Sequence, residues 1–136
     1  MFKHTVKYTD FDGNERTEDL YFHLSPAEMT QFQYSVKGGM KNLLEKATQE
    51  QDGPTLMKFF VKMVEMAYGR KSNDGRRFEK SYEIYQDFAQ TNAYNALFMQ
   101  LVTDEGFAKK FVNAVFPDME QYAAKPAAGP QLTAGV

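Results

Sequence analysis

The sequence predicts an α+β fold: an N-terminal two-stranded β-hairpin packed on a mainly α-helical body of about five or six helices, with a flexible C-terminal tail. Three observations carry that expectation. Two alternating stretches flank a turn-rich segment, a helix-start signal follows at Ser25, and from there to Val115 the apolar residues recur at helical spacing.

Residues 2 to 9 set Phe2, His4, Val6 and Tyr8 on one side and Lys3, Thr5, Lys7 and Thr9 on the other, as a half-buried strand requires. Asp10-Phe11-Asp12-Gly13-Asn14-Glu15 is dense in turn formers, and residues 16 to 24 alternate again, placing Leu20, Phe22 and Leu24 together. A hairpin over residues 2–24 follows, in which Lys3 and Lys7 are expected near Glu18 on the opposite strand.

Ser25-Pro26-Ala27-Glu28 has the form of a capping box with Pro at the first helical position. Met29, Phe32 and Val36 keep helical spacing until Gly38-Gly39 supplies a stop, and Met40, Leu43, Leu44 and Ala47 then mark a second helix, ended by Asp52-Gly53-Pro54. From Leu56 to Tyr68 only Lys58, Lys62 and Glu65 are polar. They form one narrow stripe, so this helix is expected at the centre of the core. Gly69 to Arg77 is predicted to be an exposed loop. Ser81, Thr91 and Asp104 each look like N-caps of later helices, the last of which carries Phe107, Phe111, Val112 and Val115 and closes at Pro117. One domain is expected over residues 1–119, with the hairpin at 2–24 and the helical body at 25–117, and residues 120–136 form an Ala/Pro/Gly-rich tail. No internal repeat is evident.

At 136 residues the chain has room for one core, supplied by twelve Phe, eight Tyr and eight Met. Without a single Cys it can form neither a disulfide nor a thiolate zinc site. No signal-peptide core opens the sequence, and the most apolar segment is broken by charges, so neither export nor membrane spanning is expected. A net charge of −2 gives no global reason to bind nucleic acid or anionic lipid.

The search for reactive groups yields little. His4 and His23 both fall in the hairpin, with no Cys and no Ser in a nucleophile-elbow pattern, and no further ligand spacing supports a His-pair metal site. Asp10-Phe11-Asp12-Gly13-Asn14 superficially resembles a calcium loop, but the sixth and twelfth positions counted from Asp10 hold Glu15 and Tyr21 where Gly and Glu are needed. Gly38-Gly39 and Gly69 lack phosphate-loop spacing. The reading is therefore of a non-enzyme with no cofactor and no metal.

The strongest local charge feature is the cluster Arg70, Lys71, Arg76, Arg77 and Lys80, with Phe78 inside it. It reads either as a solvated loop or as a docking patch, and a protein partner suits it better than nucleic acid because no nucleic-acid-binding motif accompanies it. Met29, Met40, Met57, Met63, Met66 and Met99 likewise have two readings, as core or as an adaptable apolar groove.

Taken together, the segments resemble a known family. Ala67-Tyr68-Gly69-Arg70-Lys71-Ser72-Asn73-Asp74-Gly75-Arg76-Arg77-Phe78-Glu79-Lys80-Ser81, the stretch from Phe88 to Asp104, Phe111-Val112-Asn113-Ala114-Val115-Phe116-Pro117 and the hairpin from Tyr8 to Glu18 are similar to the tail assembly chaperones of long-tailed bacteriophages. The resemblance covers about residues 2 to 117 and leaves the tail outside it. It implies a non-catalytic cytoplasmic protein of the infected host that binds and solubilises the tape measure protein during tail morphogenesis and is absent from the mature virion. It also implies a partner in the tail tube protein, through a frameshifted extension, and self-association along the tape measure. Two other readings stay open: a structural tail or connector protein of the virion, and a small nucleic-acid-binding regulator using the Arg70 to Lys80 segment.

Overall fold

The computed structural model describes residues 1–117, and the tail expected at 120–136 lies outside them. The α+β architecture is present, with an antiparallel sheet of four strands rather than two and six helices among the described residues. These residues gather into two compact units, one formed by Met1–His23 and Met57–Val115, the other by Leu24–Leu56 and the segment beginning at Phe116.

In the first unit, β1 (Phe2–Thr9) pairs with β2 (Glu15–Phe22) so that Phe2 faces Phe22, Val6 faces Glu18 and Thr9 faces Glu15. The register is set by the turn. Asp10 N–H donates to Asn14 O (2.8 Å) and Gly13 N–H to Asp10 O (3.0 Å), with Gly13 at φ +86°, a conformation that favours glycine. Asp10 Oδ1 accepts from the N–H groups of Asp12 and Asn14, and Asp10 Oδ2 pairs with Arg16 Nε at 2.6 Å.

That register corrects the charge pairing expected from sequence. Even-numbered residues pair with even and odd with odd, so Glu18 shares a face with Tyr8, whose hydroxyl donates to it, while Lys3 and Lys7 oppose Tyr21 and Thr17 on the other face. The even face is the packed one. Val6, Leu20 and Phe22 are buried there, and helices α5 (Asn92–Thr103) and α6 (Glu105–Val115) lie against it through His4 to Gln100 (3.1 Å) and ring contacts of Phe2, Phe22 and His4 with Phe111 and Phe107. Lys3, Thr5, Lys7, Glu15, Thr17 and Asp19, all odd, are exposed.

Helix α3 (Gly53–Ala67) buries Phe59, Phe60, Met63, Val64 and Ala67, each large side chain contributing about 1.5–3 kcal/mol on transfer from water. Its exposed side carries the predicted polar stripe Lys58, Lys62 and Glu65, together with Met57 and Val61. The helix stops one residue short of the expectation. Tyr68 opens strand β3 (Tyr68–Lys71), which pairs with β2 through Tyr21 to Gly69 and Phe22 to Tyr68, and β4 (Phe78–Glu79) pairs with β3 in turn. What reads as a loop from residue 69 is thus a second hairpin. Its strand character comes from pairing with a segment distant in sequence, which local composition does not encode.

Helix α4 (Tyr82–Ala89) starts at Ser81, whose hydroxyl accepts from Ile84 N–H, α5 starts at Thr91, and Asp104 Oδ1 accepts from Phe107 N–H at the start of α6. An aromatic series runs through these elements: Phe22 meets Tyr68 edge-on, Tyr68 stacks on Phe88 at 4.0 Å, and Phe88 meets Tyr94, which stacks on Phe98. Burial pushes the Tyr85 phenol up, with a further contribution from its hydrogen bond with Tyr94.

In the second unit the capping box at Ser25 is complete: Glu28 N–H donates to Ser25 Oγ (3.1 Å) and Ser25 N–H to Glu28 Oε1 (2.9 Å). Helix α1 (Pro26–Gln33) buries Met29 and Phe32 but ends before Val36. Its last residue then supplies a cap. Gln33 Oε1 accepts from Lys41 N–H at 3.0 Å in the first turn of α2 (Met40–Gln49), whose own N-cap, Gly39, has no side chain to offer. Gln51, at φ +53°, follows α2, and Asp52 N–H donates to Ala47 O at 2.8 Å, which closes the helix as a Schellman turn. Asp52 then accepts from Thr55 at the start of α3, and the rings of Phe32 and Phe116 meet edge-on at 5.0 Å.

Candidate interaction surface

The β3–β4 hairpin carries the basic cluster, and its shape begins at Gly69. A Cβ there would lie 2.5 Å from Phe78 Cε2 and 2.7 Å from Glu79 O, so only glycine allows the two strands this approach. Beyond it, the buried Ser72 organises the turn. Its Oγ donates to Asp74 Oδ1 (2.7 Å) and accepts from Arg77 N–H (3.0 Å), its own N–H donates to Arg77 O, and Gly75 at φ +76° donates to Ser72 O. The hydrogen bond from Ser72, then that from Arg76 N–H, hold the Asp74 carboxyl below the usual aspartate range. Both hairpin turns are therefore built alike, around an aspartate that accepts backbone N–H groups, an arginine that pairs with it and a glycine with positive φ.

The cationic side chains part company. Arg70 pairs with Asp87 of α4 at 2.8 Å, Arg76 with Asp74 at 3.1 Å and Arg77 with Glu79 at 2.9 Å, while Lys71 lies 5.7 Å from the centre of the Tyr21 ring. These four belong to one exposed hairpin, and the three arginine ion pairs reach solvent, so each contributes little to stability and leaves its guanidinium within reach of a partner. Lys80 has a different role. Its Nζ donates to His23 O (2.9 Å) and to Met66 O (3.0 Å), tying the end of β2 to the last turn of α3. No sequence signal marks that role, because it depends on two carbonyls 57 and 14 residues away.

The histidines are not brought into a reactive pair. His4 opposes Leu20 and contacts Gln100 and Phe107, and the His23 ring lies edge-on to Phe78 at 5.7 Å. Among the described residues no group of three His, Asp or Glu is placed to hold a metal ion, and no helix is long and apolar enough to cross a membrane.

Large apolar side chains exposed in the first unit add a second kind of surface. Phe11 stands at the tip of the β1–β2 hairpin at 79% exposure, Tyr82 opens α4, Met57 and Val61 lie one turn apart on α3, and Met99 and Val102 lie on α5. Met29, Met40 and Met63 are buried, so the methionines divide between core and surface. Position in sequence alone does not separate the two sets, since all occupy helical apolar spacing.

The described residues thus form an α+β fold that presents charged hairpin turns and exposed methionines. The family model for phage tail assembly chaperones matches residues 1–133, and the chain belongs to that family. The match runs past the described residues and takes in most of the tail that the sequence resemblance had left outside. Comparison with the curated proteins and with the solved structures returned no match.

Proposed function

We propose that this tail assembly chaperone binds the tape measure protein in the host cytoplasm, keeps it soluble while the tail is built, and does so without catalysis and without entering the mature virion. The family match over nearly the whole chain carries the reading. A tape measure presents long apolar helical stripes before the tube encloses them, and such stripes aggregate when left uncovered. Met57 and Val61 beside Lys58 and Lys62 on α3 suit a weak, adaptable contact with a helix of apolar and acidic character. Arg70, Lys71, Arg76 and Arg77 form the accompanying docking patch, with Lys80 positioning their hairpin from beneath. Many modest contacts along one long partner give avidity while each remains displaceable by the tube protein, which a frameshifted extension would recruit.

Co-expression tests the reading. With this chain present, the tape measure protein of the same phage is expected in the soluble fraction and in a pull-down on the chaperone. A tape measure that stays insoluble beside a folded, soluble chaperone overturns it, and mass spectrometry showing the chain as a stoichiometric part of purified particles favours the virion-component reading instead.

A further inference from the structure

An aspartate followed by glycine is open to attack by its own backbone, because glycine has no Cβ to shield the amide nitrogen that follows the carboxyl. The chain has three such pairs, Asp12-Gly13, Asp52-Gly53 and Asp74-Gly75. Neighbouring atoms guard none of them, since a Cβ at Gly13, Gly53 or Gly75 would meet nothing within 4 Å. The fold treats their carboxyls differently.

Asp74 is held on both oxygens. Its Oδ1 accepts from Ser72 Oγ (2.7 Å) and from Arg76 N–H (3.1 Å), and its Oδ2 from Arg76 Nε (3.1 Å). Asp52 is held on both as well. Oδ1 accepts from Thr55 N–H (3.2 Å) and Oδ2 from Thr55 Oγ1 (2.7 Å), while Gly53 is fixed as the first residue of α3. Asp12 is exposed, and it bonds within its turn through its backbone N–H alone; its carboxylate has no hydrogen bond or ion pair among the described residues. Arg16, the cation of that turn, is taken by Asp10.

A comparison of Asp12 with Asp74 isolates the carboxyl as the difference. Both pairs sit at the tip of a β-hairpin, and both glycines have positive φ, +86° at Gly13 and +76° at Gly75. Gly13 N–H donates to Asp10 O at 3.0 Å and Gly75 N–H to Ser72 O at 2.9 Å, so the two attacking nitrogens are restrained alike. Each must open one turn bond before it reacts. Beyond that, the Asp12 side chain is free to bring Cγ to the nitrogen, whereas Asp74 must first give up three hydrogen bonds made by an ionised group.

We infer that Asp12-Gly13 is a covalent modification site, at which the folded chain converts aspartate to isoaspartate. The Gly13 nitrogen attacks Cγ of Asp12 in its acid form, an N–Cγ bond is made, and the carboxyl hydroxyl leaves as water with the nitrogen's proton. The product is a cyclic imide. Water then adds at Cγ, which restores aspartate, or at the Asp12 backbone carbonyl carbon, which breaks the original peptide bond and leaves the chain running through Cγ. One water is lost and one gained, and nothing is oxidised or reduced. The isoaspartyl turn carries an extra methylene in its main chain and a free α-carboxylate beside the exposed Phe11, the group that isoaspartate-specific methyltransferases esterify.

The test keeps the folded, full-length chain in warm buffer and maps isoaspartate in its peptides by electron-transfer fragmentation, with methyl transfer from S-adenosylmethionine by a protein-isoaspartate methyltransferase as a second readout. Conversion at Asp12 is expected to exceed that at Asp52 or Asp74 by about tenfold or more, the factor that even one hydrogen bond to a charged group supplies. In urea the three sites should convert at comparable rates, because the fold no longer distinguishes them. Ser72→Ala with Arg76→Ala, its fold checked by circular dichroism, should speed conversion at Asp74. Asp12→Glu keeps the charge but disfavours the larger ring, so it should abolish methyl acceptance by the folded chain. An Asp12 that stays intact in the folded chain overturns the inference. So does conversion led by Asp52 or Asp74, or an Asp74 indifferent to the loss of its partners in a folded variant.

Discussion

Gly69 of β3 lies so close to the Phe78 ring of β4 that a methyl group on residue 69 would sit 2.5 Å from it, although in the strand register Phe78 pairs with Lys71. The neighbouring Glu79 carbonyl, at 2.7 Å from the same position, belongs to the backbone and cannot rotate away. Gly69→Ala is therefore expected to destabilise the first unit by about 2–3 kcal/mol, as overpacking does, measured by urea denaturation. At Gly13 and Gly75, where nothing lies within 4 Å but φ is positive, the same change is expected to cost about 1–2 kcal/mol through backbone strain alone.

Lys80→Met keeps the aliphatic stem but strips two partners from the carbonyls of His23 and Met66. A loss of about 2–3 kcal/mol is expected from the unsatisfied acceptors. Native-state hydrogen exchange should place it at the His23 and Ala67 amides, and a loss confined to distant amides would contradict the assignment.

The Tyr8 hydroxyl donates to Glu18, and that bond first, then burial of the phenol, raise its pKa from 10.0 to about 12. A raised folded value means that the stabilisation is complete below pH 10.0 and is lost as pH climbs through about 12. Asp10 has the opposite sense. Its carboxyl is lowered, chiefly by Arg16 and then by Asn14 N–H, so its contribution is present above 3.8 and disappears as pH falls through the depressed folded value. Phenolate absorbance of the wild type minus that of Tyr8→Phe should give the high value, and Glu18→Gln should return it toward 10.0.

Gln51→Gly is expected to raise stability by about 0.5–1 kcal/mol. Gln51 occupies the left-handed position of a Schellman turn, where a side chain is strained and glycine is not. The change removes no hydrogen bond made by the Gln51 side chain among the described residues, so a thermal melt should move upward.

Arg76→Ala combined with Arg77→Ala should shift stability by less than about 1 kcal/mol, because both arginines pair with acids at exposed positions. Loss of tape measure solubilisation by this double variant, with an unchanged urea midpoint, would assign the β3–β4 hairpin as a docking patch. Full retention would remove it from that role.

Local signals carried much of the fold. Ser25, Ser81, Thr91 and Asp104 cap helices where side-chain chemistry announces them, because an N-cap is decided within four residues. The β1–β2 hairpin was legible for the same reason, although its phase, and with it the placement of Glu18 beside Tyr8, depended on a turn geometry that composition does not specify. The second hairpin was not legible. Tyr68 continues an apolar helical run, and only the distant Phe22 makes it a strand. The basic residues were found as a group, yet the inward turn of Lys80 and the pairing of Arg70 with Asp87 arise from elements that meet only after folding.

Helix α3 passes into β3 with no residue between Ala67 and Tyr68, and Lys80 clasps that junction from the other side. Such a joint has no slack. A pull on the protruding β3–β4 turn would be passed along the backbone to the helix, making the turn a handle and the helix its shaft.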